Sequence, residues 1–263
     1  MDRSAVALAS VLAAAAPGAG AQDQDGAFQP FEYDPSLKLM QVAAESLAQN
    51  TQGRYGIMGM DFRRRTNFVY SEGGFFDCGS FQLLPAACSF WLSTGPAGAI
   101  LEFGPDSLIA EVWSGDSAAT EALALGLGRS VLERWLRSGG MLGTTLSDAP
   151  SGLPYVTCVW DCMVMLALAD SRLEGSSVPR LGSGDFDSLL AEYALPGTTV
   201  WGATSITSGS CRAAVAAHLP GGRRIGLVFF ADSLESESLA VERLRLLSAV
   251  MLTSVLHPPG FDQ

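Results

Sequence analysis

The chain has 263 residues, 48% of them apolar and 16% charged, and a formal net charge of −11. That length and apolar fraction suffice for a substantial core in one large domain or two small ones. The acidic balance excludes nucleic acid as a partner, because phosphate binding needs clustered cations, and no membrane-length apolar run follows the first two dozen residues.

The opening stretch "MDRSAVALASVLAAAAPGAGAQ" reads as a secretory signal peptide. Arg3 and the free amino group make a thin positive start, an Ala/Val/Leu run follows, and Ala19-Gly20-Ala21 fits small-x-small cleavage before Gln22. Residues 1–21 are then a leader, and 22–263 a single domain exported to the periplasm or the extracellular space. After a flexible "DQDGAFQPFEYDPS", the stretch Pro35 to Gln49 sets Leu37, Met40, Val42, Ala43 and Leu47 at helical spacing. "GRYGIMGMDF" and "TNFVYSEGG" alternate as two antiparallel strands around Arg63, Arg64 and Arg65. That dense basic spot suits a solvated hairpin turn better than an anion site.

"FFDCGSFQLLPAACSFWL", Phe75 to Leu92, looks like the start of a buried helix; within it "SFQLLPAACSFWL" is an almost wholly apolar helix expected to be buried on every side, with Pro85 in its early, proline-tolerant part. "GPDSLIAEVWSGDSAATEALALGLG" holds two helical segments separated by Ser114-Gly115-Asp116. Asp106 or Ser107 can cap the first, and Asp116 or Ser117 the second. "RSVLERWLRSGG" is an amphipathic helix ending on Gly139-Gly140. The stretch "TTLSDAPSGLPY" is a polar loop, "VWDCMVMLALADSRL" an apolar helix, and Gly175 to Gly184 a connection. The last third changes period: "GTTVWGATSI", "SCRAAVAAHLP" and "RRIGLVFFAD" are strands, with a turn at Pro220-Gly221-Gly222, and "ESLAVERLRLLSAVMLTSVL" is a closing helix. The expected class is α/β (α+β), with distant parts of the chain completing one antiparallel sheet flanked by helices.

Five cysteines, Cys78, Cys88, Cys158, Cys162 and Cys211, allow up to two bridges and leave one free thiol. Cys158 and Cys162 share a helix face, but His218 and His257 are the only histidines, so a structural zinc site is not expected and no cofactor is implied. Among the sixteen basic residues Lys38 is the single lysine. Any lysine general base must be that residue. Trp91, Trp113, Trp135, Trp160 and Trp201 sit at helical or strand spacing and are read as core.

In the order of its motifs, the chain from about Ser36 to Leu256 resembles the penicillin-recognising serine hydrolases, most closely the class A β-lactamases. That family starts with a helix and a two-stranded hairpin, then places Ser-x-x-Lys at the start of a buried helix, where the serine attacks the substrate carbonyl and the lysine helps remove its proton. "DCGSFQLLP" fits this motif with Gly79 at the nucleophile and Gln82 at the lysine, and Ser80 falls one position late. The family's Ser-Asp-Asn fits "VWSGDSAATEALAL": Ser114 is kept, Gly115 replaces the aspartate, and Asp116 replaces the asparagine. Negative charge at Asp116 disfavours an anionic ligand. The Lys-Thr-Gly strand motif fits Ala203-Thr204-Ser205, where only the threonine survives. The deacylating glutamate is missing from "SDAPSGLPYVT", whose only acid is Asp148.

The resemblance implies a β-lactamase/transpeptidase-like sheet with a helical subdomain and a pocket lined by Gly79, Ser80, Gln82, Ser114, Asp116, Ala203, Thr204 and Ser205. None of these is an intact catalytic residue. Class A relatives that bridge a cysteine just before the nucleophile to the sheet suggest a Cys78–Cys211 disulfide, the alternative being a buried thiol. Trp113 and Trp201 adjoin the altered motifs and would fill a vacated pocket. The preferred reading is an exported pseudoenzyme that binds a β-lactam-like or cell-wall-derived small molecule, or a protein partner. The alternative is an atypical hydrolase acting weakly on β-lactams or another amide or ester through Ser80, Ser114 or Cys78. A catalytic cysteine would need a cationic neighbour to hold it as thiolate.

Overall fold

In a computed structural model of the chain, the described residues are 35–50, 52–71, 74–79, 81, 83–85, 87, 111–112, 116–147, 154–173, 196–207 and 209–253. Helix α1 (Pro35–Asn50) buries Leu37, Met40, Ala44 and Leu47, whose spacing puts them on one face. Val42, expected on that face, is 49% exposed, so the stripe is narrower than its sequence suggests. Strands β1 (Arg54–Asp61) and β2 (Asn67–Ser71) pair antiparallel, from Gly56 opposite Ser71 to Met60 opposite Asn67. The arginines between them are exposed, as expected for a turn. The turn closes on Asp61: its buried carboxylate accepts the N–H groups of Arg63 and Arg64, each at 2.9 Å, and Arg223 Nε at 2.7 Å. The charge of Asp61 is thereby paired and hydrogen-bonded, as burial requires.

Strand β3 (Phe76–Gly79) comes next, then helices α2 (Ser117–Leu127) and α3 (Arg129–Ser138), short strands β4 (Thr145–Leu146) and β5 (Tyr155–Thr157), and helix α4 (Val159–Leu173). Strands β6 (Thr199–Thr207), β7 (Ser210–Leu219) and β8 (Arg223–Asp232) lead to helix α5 (Glu237–Thr253). Among the described residues the main sheet has five strands, in the order β2-β1-β8-β7-β6. Its pairs are all antiparallel, so the two ends of the chain complete one sheet as the sequence implies.

Both faces of this sheet are covered, which is why β7 and β8 read as nearly unbroken apolar runs. One core lies on the α4 side and includes Phe76, Cys78, Trp135, Met163, Trp201 and Phe230. The other lies under α1 and α5 and includes Tyr55, Cys211, Val215, Phe229 and Leu247. Along β7 the period of two sends Ala214 and Ala216 to the first core and Cys211, Ala213, Val215 and Ala217 to the second.

A second sheet of three strands, in the order β3-β5-β4, corrects two expectations. The start of "FFDCGSFQLLPAACSFWL" is a strand, with burial alternating along Phe76–Gly79, and among the described residues that follow, 83–85 and 87 are helical, within the stretch expected to be helix. The stretch read as a polar loop begins and ends in β4 and β5. Strands this short carry too little periodicity to be read from sequence alone. Among the described residues, no helix is long and apolar enough to cross a membrane.

Candidate functional site

Strand β3 ends at Gly79, opposite Tyr155, after a break in the pairing between Asp77 and Gly79. Gly79 has φ +48°, a left-handed conformation that glycine adopts without strain. Its N–H donates to Asp77 Oδ1 at 2.9 Å, and beyond its chain neighbours no described atom lies within 4 Å of where a Cβ would project. The position matched to the family's nucleophile is thus a bare corner at the end of a strand.

Phe76 anchors this corner. It packs on Phe230 with ring centroids 5.4 Å apart and occupies a slot over Gly56, where a Cβ would come within 2.6 Å of the ring. Arg54 and Arg212 stand 4.5 and 5.3 Å from the Phe76 centroid. Both arginines pair with Asp232. The buried Arg212 also donates through Nε to the Asp77 main-chain oxygen at 2.8 Å, and through Nη1 to the Cys211 and Ala231 oxygens at 2.9 and 2.7 Å. The guanidinium next to the corner is therefore committed to holding β3, β7 and β8 together.

Cys78, one residue before the corner, is a buried free thiol. Burial pushes it from 9.0 up to about 12, although Arg212 pulls the other way. Such a group stays protonated at neutral pH and is a poor nucleophile. Cys211 is likewise free and pushed up to about 12 by burial, again against Arg212. The disulfide between them is not formed, because Cys78 belongs to the core on the α4 side and Cys211 to the core under α1 and α5. The sheet stands between them. Cys158 and Cys162 are also free thiols.

On β6, Ser205 lies opposite Arg212, Ala203 opposite Ala214, and Thr204 opposite Ala213. Strand alternation puts Ala203 and Ser205 on the Arg212 side and sends Thr204 to the other face. Two of the three matched strand positions therefore share the corner's face. Asp116 caps α2: its Oδ1 accepts the N–H groups of Ala118 and Ala119 at 2.7 and 2.9 Å. Lys38 is exposed on α1, donates to Gln41 at 3.4 Å, and lies across the sheet from the Cys78 core. Ser80, Gln82, Cys88, Trp91, Trp113, Ser114, Gly115 and Asp148 lie outside the described residues.

Trp201, read as core from its strand spacing, is a fully buried core residue. Its indole N–H donates to Asp170 Oδ1 at 2.9 Å, and His218 Nε2 lies 2.6 Å from the same oxygen. Arg224 Nη1 is 3.5 Å from Asp170 Oδ2. One buried carboxylate on α4 thus gathers side chains from β6, β7 and β8. Trp135 is also buried, and Trp160 packs partly against the core. A third buried acid, Asp161, accepts the Thr144 hydroxyl at 2.8 Å; burial raises its pKa, and the Thr144 bond opposes the shift. Sequence reasoning missed these acids and Arg212. The available signal was a lone charge inside an apolar run: Arg212 in "SCRAAVAAHLP", Asp161 and Asp170 in "VWDCMVMLALADSRL". Among the described residues, no group of three or more His, Cys, Asp or Glu side chains is arranged to hold a metal ion.

No family model matches the chain, and no curated protein matches it in sequence. Solved structures do. A β-lactamase from Burkholderia vietnamiensis superposes with a TM-score of 0.62 at 15% identity, covering 84% of this chain and 97% of that one. A variant of the last common ancestor of Gram-negative bacteria β-lactamase class A gives 0.60 at 18% identity, covering 83% and 98%. The structure of PBP-A gives 0.59 at 14% identity, covering 83% and 96%. At these identities the likeness is one of fold, and the chain has the fold of the class A β-lactamases and PBP-A, the penicillin-recognising serine-hydrolase fold.

Proposed function

We propose that this is an exported protein of penicillin-recognising fold that has lost serine hydrolase activity and works as a binding or scaffold module. The observation that carries the reading is Gly79, which has no side chain to acylate at the position matched to the nucleophile. Three further features support it. The single lysine is exposed across the sheet, Cys78 is buried as a neutral thiol, and Arg212 is fully engaged in holding strands together. The ligand on this reading is a β-lactam-like or cell-wall-derived small molecule, or a protein partner. Export rests on residues 1–21, and Gln22 as the N-terminus of the secreted chain is its direct test.

Activity is tested by steady-state turnover of a chromogenic cephalosporin and a p-nitrophenyl ester. Background rates, unchanged in Ser80→Ala and Ser114→Ala, fit the proposal. Turnover removed by either substitution would establish the atypical hydrolase and identify its nucleophile.

A further inference from the structure

We draw no further inference here: the strongest candidate, the basic end of the main sheet where the buried Asp61 ties the exposed turn of Arg63, Arg64 and Arg65 to Arg223 at the start of β8, carries nothing because no feature of the structure shows what covers it.

Discussion

Arg212 donates its Nε–H to the main-chain oxygen of Asp77 across 2.8 Å, joining β7 of the main sheet to β3 of the small one. The two residues are 135 apart in sequence, and the bond fixes the corner at Gly79 against the sheet. Its partners, including Asp232 and the Cys211 and Ala231 oxygens, are largely buried. Arg212→Ala would leave the Asp77, Cys211 and Ala231 oxygens without their donor, while the half-buried Asp232 keeps Arg54. A loss of about 1–3 kcal/mol is expected in urea unfolding, the range for leaving buried acceptors unsatisfied. A loss below about 1 kcal/mol would mean that water replaces the guanidinium.

Trp201 and Asp170 form the second long-range tie, from β6 to α4. Trp201→Phe keeps much of the ring's bulk and deletes the donor. It should cost about 1–3 kcal/mol, because a buried carboxylate loses a hydrogen bond. Measured in an Asp170→Asn background, the cost should shrink; equal costs in the two backgrounds would assign it to packing.

Gly56→Ala should be destabilising by about 1–3 kcal/mol through overpacking. The new methyl would lie 2.6 Å from the Phe76 ring and 2.8 Å from Val159 Cγ1, and both side chains are buried in the core on the α4 side. Thermal unfolding measures the cost. A shifted near-ultraviolet circular dichroism signal would show that the aromatic anchor of the corner has moved.

The thiols set a pH dependence with a definite sign. Cys78 and Cys211 titrate at about 12 in the folded chain against 9.0 ordinarily. Between those values the folded state holds more protons than the unfolded state, so stability falls as pH rises. Asp161, also raised by burial, acts in the same sense over a window that opens at the ordinary carboxylate value of 3.8. Wild type should therefore lose more stability than Cys78→Ala between pH 9 and pH 11. Chemical denaturation at both pH values tests this, and parallel losses would refute it. A thiol-disulfide reagent at pH 8 should label Cys78 and Cys211 only after urea is added.

The sequence was informative where apolar periodicity ran long. Helix α4, the hairpin around Arg63 to Arg65, the three C-terminal strands and the turn at Gly221-Gly222 follow the expected pattern closely. The small sheet was not legible, since β4 and β5 have two and three residues, too few to display alternation. Strand β3 was hidden by the apolar run after it, which suggested helix from Phe75 onward. The altered chemistry at Gly79, Asp116 and Ala203 could be read from residue identity. The engagement of Arg212 could not, because it depends on which carbonyls the sheet brings within 3 Å. The Cys78–Cys211 pairing failed for a related reason: strand parity, which fixes the face each sulfur occupies, has to be counted in the folded register.

Replacement of the nucleophile by a side-chain-free corner is tested by intact mass. The chain from Gln22 onward is incubated with excess benzylpenicillin and then weighed. The mass should stay unmodified at every time point. A covalent adduct of one penicilloyl group, absent from Ser80→Ala or from Ser114→Ala, would contradict it and identify the residue that attacks.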